Sequence, residues 1–167
     1  MIRLYENVIE QHFKCYKQML FIAGPRQVGK TILCLNTATS TESFTYLNWD
    51  NQDYRKIILA GPTAVAEFIG LKKVHMTVPI IVFDELHKYQ QWKIFLKGFF
   101  DTYRDNLRII VTDSSKLDIY RTAGDSLMGR YFPYSVHPIS VSECLVTDIA
   151  EQEISPPTPI DSKVFAA

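Results

Sequence analysis

The sequence lacks the features that mark secreted or membrane-bound proteins. Its three cysteines, Cys15, Cys34 and Cys144, are widely spaced and form no C-x-x-C pair, so the pattern argues against a disulfide scaffold. No apolar stretch approaches the roughly 20 residues that a membrane helix needs. The first residues also lack a signal peptide's charged segment followed by an apolar one. We therefore expect a cytoplasmic protein with no membrane partner.

The chain also has no net charge, because 18 basic residues balance 18 acidic ones among its 167 residues. A nucleic-acid-binding domain usually carries a basic excess, so this class is not favoured. The one candidate basic surface consists of Lys88, Lys93, Lys97 and Arg104, of which the last three share one helix face. A solvated charged face is the simpler interpretation. The length fits a single domain that buries a substantial core.

Residues 24–31 match the phosphate-binding P-loop, and they lie between an apolar run at 19–23 and a helix-like segment at 32–35. A strand, a glycine-bounded turn and a helix start together direct backbone N–H groups at a polyphosphate. Lys30 is expected to reach the β- and γ-phosphates, and the Thr31 hydroxyl to ligate Mg²⁺. The predicted nucleotide-binding residues are Gly24, Pro25, Arg26, Gln27, Val28, Gly29, Lys30, Thr31 and Ile32.

A second acidic element is found where a P-loop protein needs one. Residues 79–85 form a short run rich in β-branched residues that ends in Asp84 and Glu85, as in a buried parallel strand with acids at its carboxyl edge. Ligands of open α/β sheets bind at that edge. We predict that Asp84 holds Mg²⁺, directly or through water, and that Glu85 polarises the attacking water. A strand that merely ends in polar residues is the alternative, and the P-loop makes it less favoured.

Two further segments supply candidates for the reaction centre. Residues 108–115 read as a strand whose polar end would lie beside the γ-phosphate, where Thr112 or Ser114 could orient water. The same residues suit a turn that caps a helix beginning near Lys116. Arg130 precedes the predicted fifth strand and could reach transition-state charge, within the chain or from a neighbouring protomer. A surface arginine is equally compatible with its spacing.

Periodicity predicts alternating helices and strands. We expect helices at residues 3–17, 54–59, 63–69, 90–103 and 140–150, and strands at 19–23, 43–48, 79–85, 107–112 and 131–137. The fold class is therefore α/β, a P-loop NTPase whose parallel sheet of about five strands is flanked by helices. By analogy with such folds, the acid-bearing strand is separated from the P-loop strand by an additional strand. Residues 1–150 would form the domain, and the proline-rich residues 151–167 a linker or frayed tail.

The chain resembles prokaryotic AAA-type ATPases of the kind usually joined to a C-terminal domain of unknown function. The resemblance is carried by residues 24–31, 46–50, 83–88 with Trp92, 112–115, 126–130 and 138–143. It implies an AAA+ ATPase core that binds ATP or ADP with Mg²⁺. It also implies a C-terminal domain or partner protein, for which residues 151–167 would be the start of the linker, and it allows an oligomer.

Two residues depart from the family pattern. Asp113 stands where the family usually has glycine, and its charge near the γ-phosphate puts hydrolysis in more doubt than binding. His87 replaces a more usual glutamine-like residue and is expected to cap or line the rim of the site. Three functions therefore stay open. These are an ATP hydrolase, a nucleotide-binding switch with negligible turnover, and a small-molecule kinase. A kinase would need a lid rich in arginines, and the two candidates, Arg121 and Arg130, are too few to form one.

Overall fold

The computed structural model describes residues 4–37, 43–73, 75–113 and 125–139. Several sequence predictions concern residues outside these ranges: the last helix at 140–150, the tail at 151–167, and the residues Ser114, Arg121 and Cys144. No helix within the described ranges has the length and apolar character needed to cross a bilayer.

Five helices and five strands alternate along the described chain. The helices are α1 (Leu4–Cys15), α2 (Lys30–Asn36), α3 (Gln52–Leu59), α4 (Pro62–Ile69) and α5 (Trp92–Tyr103). The strands are β1 (Met19–Ala23), β2 (Phe44–Asn48), β3 (Ile80–Asp84), β4 (Arg108–Asp113) and β5 (Tyr131–Ser135). Short 3₁₀ turns follow β3 at Leu86–Lys88 and precede β5 at Asp125–Leu127.

Helix α3 begins two residues before the predicted start. The Asn51 side chain accepts hydrogen bonds from the backbone N–H groups of Asp53 and Tyr54 at 2.9 and 3.3 Å, which satisfies donors that the first helical turn leaves free. The helix therefore begins directly after its Asn51 cap rather than at the predicted residue 54.

The five strands form one all-parallel sheet in the order β2-β3-β4-β1-β5. Strand β4 lies between β1 and β3, so the predicted additional-strand order is confirmed. The register aligns Ala23 with Asp113, Asp84 with Thr112, and Asn48 with Asp84. Because all strands run the same way, the P-loop and these polar residues end at one edge of the sheet.

Alternating side chains of the strands supply two separate cores, as expected for a sheet covered on both faces. Phe21 and Phe83 belong to the core beneath α3, α4 and α5, while Leu20, Ile22 and Val82 belong to the core beneath α1 and α2. All five are at most 1 % exposed. Burial of each such side chain contributes about 1.5–3 kcal/mol, so the sheet that positions the site is held from both sides.

His12 is the one buried histidine among the described residues, and it ties α1 to the sheet. Its Nε2 donates to the Gln18 carbonyl at 2.8 Å, and its Nδ1 accepts from the Tyr134 hydroxyl at 3.2 Å. Both contacts use the neutral imidazole. Burial lowers the pKa of His12, an effect that the Gln18 hydrogen bond opposes and the charge of Arg108 reinforces. His12 is therefore a hydrogen-bonded core histidine.

We expect His12→Gln to reduce the loss of stability at acid pH. The unfolded chain protonates His12 near its ordinary pKa, whereas the folded chain does so only at lower pH. Stability from the neutral imidazole is therefore present above this range and is lost as pH falls below about 6.5. The melting temperature should drop less in the variant than in wild type between about pH 7.5 and about pH 5.5.

Ile9→Val in the same helix is the matched control, because it weakens the same core without removing a titrating group. Its melting temperature should be lower than that of wild type by a similar amount at both pH values. Equal acid sensitivity in wild type and His12→Gln would contradict the assignment.

Candidate functional site

The P-loop adopts a conformation that two left-handed residues make possible. Gly29 has φ of 88° and Gln27 has φ of 65°. The positive φ at Gly29 lets the chain turn directly into α2, whose first residue is Lys30. The Lys30 ammonium donates to the carbonyls of Gly24 and Pro25 at 2.8 and 2.6 Å. The loop is therefore closed around its own lysine, which is buried.

Gly24 is required for a reason unconnected with phosphate. A Cβ at this position would lie 2.3 Å from the carbonyl oxygen of Val136, just beyond the end of β5. The same segment is fixed by a 2.7 Å hydrogen bond from the Val136 N–H to the Ala23 carbonyl. The first glycine of the loop thus allows β5 to approach β1 closely.

Asp84 ends β3 as the centre of a hydrogen-bond network, and it is only 9 % exposed. Thr112 of β4 donates to its Oδ1, while Tyr46 and Asn48 of β2 donate to its Oδ2, the Asn48 contact at 3.2 Å. The donors come from the strands on either side, so the register of the sheet delivers them. The network fixes the orientation of the carboxylate.

The Tyr46 hydroxyl also links Asp84 to the P-loop. Burial raises the pKa of Tyr46, the hydrogen bond to Asp84 raises it further, and hydrogen bonds with Thr31 and Asn48 oppose the change. The phenol therefore stays protonated and donates to the carboxylate while it contacts Thr31. The two predicted metal ligands, Thr31 and Asp84, are thus brought to one place. Hydroxyl and carboxylate oxygens are ligands that Mg²⁺ prefers.

Glu85 sits in a sharp turn immediately after the sheet edge. Its φ is 56°, in the left-handed region, and its backbone N–H donates to the Thr112 carbonyl at 3.2 Å. Its Oε2 lies 3.3 Å from the ammonium of Lys88, which also pairs with Asp50 at 2.6 Å. This turn directs the acid away from the strand, and strained backbone of this kind is common at functional sites.

The charge balance of the site is set by one buried lysine among several acids. Burial lowers the pKa of Lys30, and the nearby carboxylates of Asp84, Glu85 and Asp113 oppose that effect. These carboxylates favour the charged ammonium. A cation is therefore held in a partly desolvated position, where its attraction to phosphate is stronger than at the surface.

These elements enclose a cavity of about 500 Å³, large enough for a nucleotide's phosphates. Of the predicted nucleotide and metal residues, Gly24, Pro25 and Val28 are not in its lining, and Val28 packs into the core. The lining comprises Arg26, Gln27, Gly29, Lys30, Thr31, Ile32, Asn48, Asp50, Asp84, Glu85 and Lys88. The cavity thus combines the P-loop with the acidic end of β3.

The structure does not bring Arg130 to this cavity. Its guanidinium binds Asp101 of α5 through two hydrogen bonds of 2.8 and 3.0 Å, and its backbone carbonyl accepts from Met19 at the start of β1. Arg130 therefore lies at the opposite edge of the sheet from the P-loop. This corrects the expected placement within the chain, because the loop before a parallel strand is at the amino edge. A contribution to a neighbouring protomer stays a prediction.

Two partners of Asp84 were not among the sequence-predicted site residues. Tyr46 and Asn48 lie on β2, which the sequence identified as a strand without indicating which strand it pairs with. The sequence signal that could have indicated Tyr46 and Asn48 is that both carry polar groups near the end of a predicted strand. Thr112, a predicted catalytic residue, instead donates to Asp84, and Ser114 lies outside the described residues.

Comparison with known proteins agrees with this geometry. A family model described as an AAA domain matches residues 16–145, which include the P-loop and all five strands. The chain therefore belongs to the AAA domain family and has the nucleotide-binding ATPase fold of that family. A search of curated proteins gave no match to the chain.

We expect Gly24→Ala to lower the free energy of unfolding by about 1–3 kcal/mol, because the new methyl group meets the Val136 backbone. Gly98→Ala in α5 is the matched control, since a Cβ there has no atom within 4 Å. That change should be neutral or stabilise by up to about 1 kcal/mol. Urea denaturation measures both, and unchanged stability in Gly24→Ala would contradict the close approach of β5.

Proposed function

We propose that the chain binds ATP with Mg²⁺ and hydrolyses it, and that turnover drives a conformational cycle in an attached or partner domain. The observation that carries the proposal is the single cavity shared by Lys30 and Thr31 with Asp84 and Glu85. Membership in the AAA domain family supports a nucleotide as the ligand. The process served by the partner domain is not specified by any residue of the site.

Phosphate binding would use the P-loop. The Lys30 ammonium would exchange its two carbonyl acceptors for phosphate oxygens, and the backbone N–H groups around Gly29 and the start of α2 would add hydrogen bonds. Thr31 and Asp84 would hold Mg²⁺, which supplies positive charge against the phosphates. The hydrogen bonds of Tyr46, Asn48 and Thr112 keep the Asp84 carboxylate oriented for this role.

Glu85 is the candidate base for hydrolysis. Its carboxylate would accept a proton from a water that attacks the γ-phosphorus, while the bond from that phosphorus to the bridging oxygen breaks and ADP leaves. The acid lies in the cavity lining beside Lys30 and Asp84, and its turn is anchored to β4 through Thr112. A positioned acid near the end of the phosphate chain is the feature that favours a hydrolase over a simple binding module.

A nucleotide-binding switch with negligible turnover is the second candidate. Asp113 favours it, because this carboxylate is fully buried and acts electrostatically on Lys30. A negative charge there opposes the charge that develops on the γ-phosphate. A kinase is less favoured, since Arg130 is paired with Asp101 away from the cavity.

Lys30→Ala should weaken Mg²⁺–ATP binding by at least about 100-fold, since two charge-assisted hydrogen bonds to phosphate are lost. Isothermal titration calorimetry measures the affinity. Lys72→Ala is the matched control, because that lysine is exposed in the turn after α4, is absent from the cavity lining and pairs with Glu67. An unchanged affinity in Lys30→Ala would disprove the assignment of the site.

Glu85→Gln should keep ATP affinity within a fewfold of wild type and lower phosphate release by about 10²–10⁴-fold, because the amide does not accept the water's proton. A coupled assay for inorganic phosphate measures turnover. Glu67→Gln on the exposed part of α4 serves as the control. If wild type binds ATP but releases no phosphate, the switch replaces the hydrolase as the function.

A further inference from the structure

We infer that His87, held by the buried Asp113, is a positioning residue for Glu85. The inference rests on the proposed hydrolase function and adds a pair of residues to it. It also gives Asp113 a role different from the one its sequence position suggests. The pair would orient the base rather than repel the γ-phosphate.

The contact between Asp113 and His87 anchors the imidazole. Asp113 is the last residue of β4 and is 0 % exposed, and its Oδ1 lies 3.0 Å from Nδ1 of His87. The alignment falls short of a hydrogen bond, so the contact is an electrostatic one at close range. A carboxylate fixed by a central strand of the sheet thus faces one side of the ring.

The other side of the ring faces the candidate base. Nε2 of His87 lies 3.7 Å from Oε2 of Glu85, beyond hydrogen-bond length but within range of an ion pair. Lys88 contacts the same oxygen at 3.3 Å. Both contacts are to Oε2, so they restrain the carboxylate by one oxygen and leave Oε1 to accept a proton from water.

The two nitrogens of the imidazole explain how Asp113 can act on Glu85 through His87. The ring has one carboxylate close to Nδ1 and a second one within ion-pair range of Nε2, so it is restrained from two sides. The carboxylate on one nitrogen sets which way the other nitrogen points. Asp113 therefore orients His87, and His87 in turn orients Glu85. The charged groups that contact the ring among the described residues are Asp113 from β4 and Glu85 from its own turn, and Lys88 contacts the same Glu85 oxygen.

Lys88 alone is a weaker restraint on Glu85. Its side chain is 38 % exposed and divides its contacts between Asp50 and Glu85, while His87 is 19 % exposed. Long exposed side chains pay more entropy to hold one position, and their ion pairs are screened by solvent. The less exposed imidazole of His87, which contacts the fully buried Asp113, therefore restrains Glu85 more strongly than Lys88 does.

The test is the turnover of His87→Ala with excess Mg²⁺–ATP. We expect kcat to fall about tenfold, because a base displaced by a fraction of an ångström attacks less well. The affinity for ATP should stay within twofold of wild type, since His87 does not line the cavity. Adding free imidazole should restore part of kcat, and His87→Gln, which keeps a donor, should retain more activity than His87→Ala.

The controls separate positioning from a structural effect. His75→Ala removes a histidine that bonds the Gly70 carbonyl, away from the cavity, and should leave kcat and its response to imidazole unchanged. Asp113→Asn, which keeps the shape but removes the charge, should lower kcat in the same direction as His87→Ala. Circular dichroism checks folding, and His87→Gln carries the comparison if His87→Ala is unfolded.

The outcomes are distinct. An unchanged kcat in His87→Ala, a loss seen in ATP affinity instead of kcat, or no response to imidazole would overturn the positioning role while the hydrolase stands. A rise in kcat in Asp113→Asn would show that this acid opposes the reaction and would also overturn it. Wild type that binds ATP without releasing phosphate would overturn the hydrolase and the positioning role together.

Discussion

The carboxylate of Asp84 organises the site because groups from three other elements, β4, β2 and α2, converge on it directly or through Tyr46. Thr112 reaches it from β4, Tyr46 and Asn48 reach it from β2, and the Tyr46 phenol also contacts Thr31 in α2. These contacts exist only in one register of a parallel sheet, since a slip of one residue would point each donor to the opposite face. The orientation of the Asp84 carboxylate is thus inseparable from strand pairing.

Much of the fold follows from periodicity in the sequence. Each predicted strand within the described residues is present, because runs such as 79–83 are apolar throughout and a strand covered on both faces of the sheet buries all of them. Boundaries were less accurate, as at α3, where the Asn51 cap extends the helix. The order of the strands in the sheet was predicted by analogy with related folds. Local patterns do not contain this order, because strand pairing depends on contacts between residues that are far apart in the sequence.

The residues of the candidate site were likewise predictable only in part. Lys30, Thr31, Asp84 and Glu85 could be predicted because each belongs to a local motif whose chemistry requires that spacing. Tyr46 could not, since its role depends on β2 lying beside β3. Arg130 was the reverse case. Its position before a strand suggested the reaction centre, yet in a parallel sheet that position lies at the amino edge, opposite the P-loop.

The electrostatics of the site explain why a buried Asp113 is compatible with a phosphate pocket. Asp84, Glu85 and Asp113 all act on Lys30, and a polyphosphate would add further negative charge. Side chains of the turn after β3 contact two of these acids, Lys88 at Glu85 and the His87 ring at Asp113. Asp84 instead accepts hydrogen bonds from neutral donors on the neighbouring strands, Tyr46 and Asn48 of β2 and Thr112 of β4. The sheet therefore fixes the Asp84 carboxylate in the lining of the cavity, while the turn after β3 supplies the groups that contact the other two acids.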